Sequence, residues 1–281
     1  MKDDTIKAGR HSIRLSVFEC GAGKPSIVFI PGSGCYAMLY ADFLEALSRN
    51  GFNAVGIDLP GHGRSSGPRG SFRCADAISA VRAAAEYAQN AYNAPVGVAG
   101  SSLGGILALY SVAEIPLLKI ALCHNVLDVK NPPLSSRREH VLVRARPFFP
   151  VLARLFPNRR VPLQAVFDWR LVFDDRRRLD ELREDPLMVW SYTIATLNSL
   201  FIENKTKPEI ENISSPVLVL VSGGDQILTE KYCRSVCERL GGKKEFVSIP
   251  EVGHMLLVEH IPAVLPRVLP WLGQTLKNSS E

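Results

Sequence analysis

No stretch of this 281-residue chain holds the ~18 to 20 consecutive apolar residues of a membrane span, so a transmembrane protein is not expected. The first residues, Met1-Lys2-Asp3-Asp4-Thr5, are polar and lead into no apolar run, so no secretion signal is expected either. Cysteine is sparse and scattered: Cys20, Cys35, Cys74, Cys123, Cys233 and Cys237 show neither a metal-binding nor a disulfide-framework spacing. Without an export signal, the expectation is reduced, mostly buried thiols in a cytoplasm. Cys233 and Cys237 lie four apart on a helical pattern, which predicts packing on one face and not a metal site, since no further ligands stand nearby. Charge is nearly balanced: 33 Lys and Arg against 28 Asp and Glu leave a net +5. With no stripe of basic and aromatic residues, that excess does not point to nucleic acid. A chain 46% hydrophobic and 22% charged is expected to form one globular domain with a large core, alone or with an insertion.

Short β-branched runs alternate with helical patterns. Strands are predicted at Ser12–Phe18, Ser26–Ile30, Asn53–Ile57, Val96–Ala99, Lys119–Leu122, Val217–Val221 and Glu245–Ile249. Helices are predicted at Leu39–Asn50, Ala75–Tyr92, Leu103–Ala113, Glu230–Leu240 and Ala263–Leu276. Several strands are apolar throughout, as in a sheet covered on both faces. The alternation predicts an α/β fold with a mainly parallel sheet and ligands beyond its C-terminal strand ends.

The rhythm breaks between residues 128 and 207, where prolines cluster and no strand pattern is evident. This stretch holds 15 Lys and Arg against 10 Asp and Glu, an excess equal to that of the whole chain. The expected organisation is a core of residues 1–127 and 208–281 with a helical lid, or cap, at 128–207. Its apolar stretch Phe148–Phe156 is expected to pack inside the lid; contact with a membrane surface is the less favoured reading.

The residues that carry chemistry begin at Gly100-Ser101-Ser102-Leu103-Gly104. An apolar run leads in and a small-residue helical pattern leads out. This is the signature of a strand, a strained turn with a serine at its tip, and a helix, with small residues needed two positions either side. The serine hydroxyl is thereby raised above the sheet edge beside the positive end of a helix, the presentation a weak nucleophile needs to attack a carbonyl.

Ser102 requires a base. His254 stands after the last predicted strand, on a loop expected at the same sheet edge. Of the other histidines, His11 and His260 lie in polar or terminal surroundings, His140 among insertion charges and His62 in a turn. His124, at a strand end, is the remaining alternative. Asp225, after the Val217–Val221 strand and a Gly-Gly turn, is the expected acid to orient His254. The order Ser102, Asp225, His254 is the one that accompanies this serine turn. Asp128, after the preceding strand, is the competing acid. Attack would create an oxyanion, for which the Leu103 amide is one expected donor. The other is expected from Pro31-Gly32-Ser33-Gly34-Cys35, with the Ser33 amide chosen and Gly34 as the alternative.

Together with Gly56-Ile57-Asp58-Leu59-Pro60-Gly61-His62-Gly63-Arg64-Ser65-Ser66-Gly67, these residues resemble the α/β-hydrolase superfamily, and within it the monoacylglycerol lipase and lysophospholipase (serine aminopeptidase-like) branch. The resemblance implies that Asp58 and His62 belong to a structural turn. This chain has Pro31-Gly32 where the family usually has His-Gly, which preserves a backbone donor and removes a histidine side chain. The expected activity is hydrolysis of a carboxylic ester through an acyl-enzyme on Ser102, with an apolar acyl group favoured and no metal or cofactor required. Thioester, lactone, amide and C–C bond hydrolysis share these motifs, as does a non-catalytic ligand receptor on the same scaffold. The expected partner is a small-molecule ester substrate.

Overall fold

The computed structural model describes residues 1–133, 144–203 and 207–277. Along the chain the strands are β1 (Lys2–Ala8), β2 (His11–Phe18), β3 (Ser26–Ile30), β4 (Asn53–Ile57), β5 (Val96–Ser101), β6 (Leu118–His124), β7 (Arg160–Pro162), β8 (Ser191–Thr193), β9 (Val217–Ser222) and β10 (Lys244–Ile249). Eight of them form one sheet in the order β1-β2-β4-β3-β5-β6-β9-β10. The first two pairings, β1–β2 and β2–β4, are antiparallel, and all others are parallel. Every residue of β3, β4, β5 and β9 is buried, which explains their unbroken apolar runs: helices cover both faces. Among them are α1 (Ala41–Arg49), α2 (Cys74–Tyr92) and α3 (Leu103–Glu114). This is the expected α/β-hydrolase architecture.

Three strands were not predicted. β1 reads Lys2-Asp3-Asp4-Thr5-Ile6-Lys7-Ala8 and lies at the sheet edge, where charged side chains are tolerated and discourage further strand pairing. β7 and β8 pair antiparallel within 128–207, but three residues each are too few to show a period. The described residues of that stretch also hold helices Phe149–Leu155, Arg176–Arg183 and Ile194–Phe201. His140 lies outside the described residues. Cys233 and Cys237 are both buried, as one-face packing requires, and all six cysteines are free. The stretch Phe148–Phe156 departs from its expected place: Phe149 packs inward, while Phe148, Val151, Leu152, Leu155 and Phe156 are exposed.

Residues 185–199 are bound tightly to the core. Arg69 donates to the carbonyl oxygens of Pro186, Leu187 and Met188 at 3.0, 2.5 and 3.1 Å. Tyr36 donates to Asp185 at 2.7 Å. The amides of Phe72 and Cys74 donate to Thr196 and Ser199, each at 3.0 Å.

At the centre of the sheet, β5 runs into α3 through a single residue, Ser102, held at φ 55°, ψ −115°. A side chain on Gly100 would strike the Gly104 carbonyl, and one on Gly104 would strike the Ile30 carbonyl at the end of β3. The first turn of α3 therefore rests directly on two strand ends. Because backbone surrounds these sites, Gly104→Ala is expected to cost about 1–3 kcal/mol, the usual range for forcing a methyl group into a filled space. Urea denaturation checks this; a loss below ~0.5 kcal/mol, the scatter of neutral surface changes, would contradict it.

Candidate active site

Ser102 and His254 line one cavity of about 240 Å³ at the C-terminal strand ends. Ser102 is held by its own amide, which donates to the His124 carbonyl at 2.8 Å. His254 stands on the loop between β10 and helix Leu256–Glu259, and is 3% exposed. Its Nδ1 lies 2.7 Å from Asp225 Oδ2. That contact requires a proton on Nδ1, so in the neutral ring Nε2 is the acceptor.

Asp225 comes from the turn after β9. Its Oδ1 accepts the amides of Ile227 and Leu228 at 2.7 and 3.0 Å. Its Oδ2 accepts from Asn125 Nδ2 at 2.7 Å as well as from His254. Burial pushes the carboxyl pKa up, but the His254 imidazole and the two amides outweigh it and hold the group below its ordinary value. Asp225 is thus an ionised, fully engaged acceptor. Asn125 Nδ2 also lies 3.3 Å from His254 Nδ1. Both atoms are donors in this tautomer, so the amide serves Asp225.

The two alternatives are placed elsewhere. Asp128 accepts from the Lys130 amide, Asn131 Nδ2 and Arg239 Nη1 at 2.9, 2.8 and 2.8 Å, and among the described residues it makes no bond to His254. Burial raises its pKa, but these donors prevail and lower it. His124 turns to Ser101, with Nδ1 3.0 Å from Ser101 Oγ, and not to Ser102. Burial and the neighbouring His254 ring, 5.8 Å away centre to centre, lower its pKa to about 3. His62 and Asp58 sit in the turn assigned to them: Asp58 caps the amides of Ala37 and Arg64, each at 2.8 Å.

The loop Pro31–Cys35 approaches Ser102 from β3. Gly32 N–H donates to Tyr40 Oη at 3.2 Å and Gly34 N–H to Tyr192 Oη at 2.8 Å. Cys35 N–H donates to the Gly32 carbonyl at 3.1 Å. Gly34 is therefore committed to the protein itself. Among the described residues, the amide of Ser33 has no acceptor, nor has that of Leu103 at the start of α3. Both residues line the cavity. The segment that leads into β8 fixes the loop further, since Val189 N–H donates to the Gly34 carbonyl at 2.8 Å. Gly34 has φ +74°, and any side chain there would collide with Val189 O.

Tyr192 links this loop to His62. His62 Nδ1 lies 3.0 Å from Pro60 O and must donate, so Nε2 accepts from the Tyr192 hydroxyl at 2.9 Å. A directed chain results, from Gly34 N–H through Tyr192 O–H to His62. Burial lowers the His62 pKa to about 4, which keeps Nε2 an acceptor. Sequence reasoning missed Tyr40, Tyr192 and Asn125. Only Asn125 carried a signal, its place directly after a strand at the sheet's C-terminal edge; the tyrosines belong to no local pattern.

Apolar side chains form most of the cavity wall. Leu103, Ile106 and Met255 come from the core, and Phe149, Trp169 and Phe201 from residues 128–207. Among the described residues, Arg146 is the one guanidinium at the wall, and it donates to the carbonyls of Val129 and Phe201 at 2.6 and 3.0 Å. Outside the cavity, Asp174, Glu259 and His260 offer metal-ligand atoms within 4.8 Å of one another. Three of their four carboxylate oxygens already accept hydrogen bonds. Asp174 accepts from Gly253 N–H and His260, and Glu259 accepts the amides of Asp174 and Asp175. This cluster fixes residues 174–175 to the loop that carries His254.

Comparison with known proteins supports the family and the fold. The family described as "Serine aminopeptidase, S33" matches residues 21–261. No curated protein sequence matches at a significant level. Among solved structures, the monoacylglycerol lipase of Paleococcus ferrophilus superposes with a TM-score of 0.78 at 22% identity, over 94% of this chain and 99% of that one. A soluble variant of the monoglyceride lipase from Saccharomyces cerevisiae, in complex with a substrate analog, gives 0.79 at 15% identity, over 98% and 95%. A thermostable carboxyl esterase from Bacillus coagulans, in complex with glycerol, gives 0.78 at 13% identity, over 98% of each chain. At such identities these likenesses are of fold.

Two buried neutral histidines make stability depend on pH. Their native pKa values, about 4 for His62 and about 3 for His124, lie below the ordinary 6.5. Below pH 6.5 the unfolded chain takes up protons that the native one refuses, so stability is complete above that pH and falls on acidification. Each histidine contributes up to about 1.4 kcal/mol per pH unit of that interval. Urea denaturation at a series of pH values is expected to show a shallower decline between pH 6.5 and 4 for His124→Asn than for the parent chain; identical slopes would contradict the assignment.

Proposed function

The chain belongs to the serine aminopeptidase, S33, family, and from that premise we propose that it is a carboxylic ester hydrolase acting through an acyl-enzyme on Ser102. The observation that carries this reading is the shared cavity: Ser102 and His254 both line it, and His254 is held on its far side by an ionised, buried carboxylate. In the proposed reaction, His254 Nε2 takes the Ser102 proton as Oγ attacks the ester carbonyl. The tetrahedral oxyanion is met by the free amides of Ser33 and Leu103. The imidazolium, stabilised by Asp225, returns the proton to the departing alkoxide. Water then attacks the acyl-enzyme, with His254 again taking the proton, and releases acid and free serine.

Residues 128–207 serve in this reading as a cap that supplies much of the acyl-binding wall. An apolar acyl group suits that wall. Names of structurally similar proteins, monoacylglycerol lipase and carboxyl esterase among them, support an ester as substrate.

Ser102→Ala is expected to abolish turnover of p-nitrophenyl acyl esters with the fold intact by circular dichroism; retained turnover would refute the acyl-enzyme. Asp225→Asn should lower kcat by about 10³–10⁴, whereas Asp128→Asn should leave it within about twofold. Across a series of acyl chains, kcat/KM should rise up to about fourfold per added methylene until the cavity is full, the equivalent of ~0.8 kcal/mol for each buried CH₂. A flat series would contradict an apolar acyl site. Tyr192→Phe leaves the Gly34 amide and His62 Nε2 without partners and loosens the loop that presents Ser33. It should lower kcat on the order of ten- to a hundredfold with little change in KM; an unchanged kcat would remove Tyr192 from any positioning role.

A further inference from the structure

Eight large apolar side chains are exposed among the described residues, and five fall within residues 148–156: Phe148, Val151, Leu152, Leu155 and Phe156. Phe148, Leu155 and Phe156 are 67%, 63% and 57% exposed. Their spacing is i, i+3, i+4, i+7, i+8, a single helical stripe. A stripe of that kind is normally turned to a core; this one is turned to solvent. The opposite side of the same segment, through Arg146 and Phe149, lines the cavity.

The surrounding charge is of one sign. Residues 144–167 hold five arginines and no aspartate or glutamate. Arg144, Arg154, Arg159 and Arg160 are exposed. None of the four forms an ion pair with a carboxylate among the described residues; Arg160 donates instead to the Arg69 carbonyl and Ser191. An apolar helical stripe flanked by arginines that have no carboxylate partner among the described residues combines the two attractions that hold a protein at an anionic lipid surface, apolar insertion and headgroup electrostatics.

We propose that residues 144–160 dock this protein on anionic bilayers, with Phe148, Val151, Leu155 and Phe156 in the interfacial layer and the arginines at the headgroups. Self-association through the same face is disfavoured, because a twofold contact sets each arginine cluster against its copy. Docking would bring the Phe149 side of the cavity next to the layer in which apolar molecules reside. The proposal does not depend on the chemistry assigned to Ser102.

Co-sedimentation of the whole chain with phosphatidylcholine vesicles, and with mixed phosphatidylcholine–phosphatidylglycerol vesicles, tests it. The expected result is strong binding to mixed vesicles, weak binding to neutral ones, and release by salt. Arg154→Gln with Arg159→Gln should lower the partition coefficient about 25-fold, at about fivefold per arginine removed from the surface. Leu155→Ser with Phe156→Ser should lower it by at least about tenfold. Neither pair lines the cavity, and thermal melting followed by circular dichroism should be unchanged for both. Equal binding to neutral and mixed vesicles would overturn the proposal, as would binding that survives both pairs of substitutions. So would a dimer in sedimentation velocity that Leu155→Ser with Phe156→Ser dissolves while vesicles capture nothing, because that result assigns the stripe to a second copy of the chain.

Discussion

The active-site architecture depends on one close approach, that of the first turn of α3 to the ends of β3 and β5. Backbone meets backbone there, with no room for a side chain at Gly100 or Gly104. The contact forces Ser102 into a left-handed conformation that a serine adopts only under constraint. The same contact brings the end of β3 against the start of α3. The loop that follows β3 and the amide that follows Ser102 then face one cavity. The proposed nucleophile and two N–H groups that have no acceptor among the described residues are thus delivered together by a single packing event.

The rest of the site answers an electrostatic problem. A carboxylate as buried as Asp225 costs several kcal/mol unless each oxygen is met by donors. Two backbone amides, one imidazole and the Asn125 side chain supply them. With the acid ionised and saturated, the imidazole has one tautomer and one orientation. The loop after β3 is held by a comparable economy of donors. Tyr40 and Tyr192 take the amides of Gly32 and Gly34, so Ser33 is the residue left to face the cavity with its N–H unspent. Residues 185–199 are therefore part of the site's frame, although they lie inside the stretch 128–207, which sequence patterns left without detail.

What could be read from the amino-acid sequence follows from the range of the interactions involved. β3, β4, β5 and β9 are covered on both faces and so announce themselves as apolar runs. The turn around Ser102 is visible because its steric demand falls on residues two positions away in the chain. Asp225 and His254 could be read because each follows a recognisable strand at the edge where ligands gather. β1 was missed because an edge strand carries charge by necessity, and β7 and β8 because three residues carry no period. Tyr192 and Asn125 act across 158 and 100 positions of chain, on Gly34 and Asp225, and no local pattern records such partnerships. The exposed stripe at 148–156 was misread for a related reason: its spacing is that of a buried helix face, and only the fold shows which way it turns.

The central claim is that Ser102 is a nucleophile made reactive by His254. Labelling the protein with a fluorophosphonate and mapping the modified peptide tests it most directly. The account predicts stoichiometric modification at Ser102, slowed by several orders of magnitude in His254→Ala. Modification at Ser101 or elsewhere, or labelling of Ser102 at an undiminished rate without the imidazole, would contradict it.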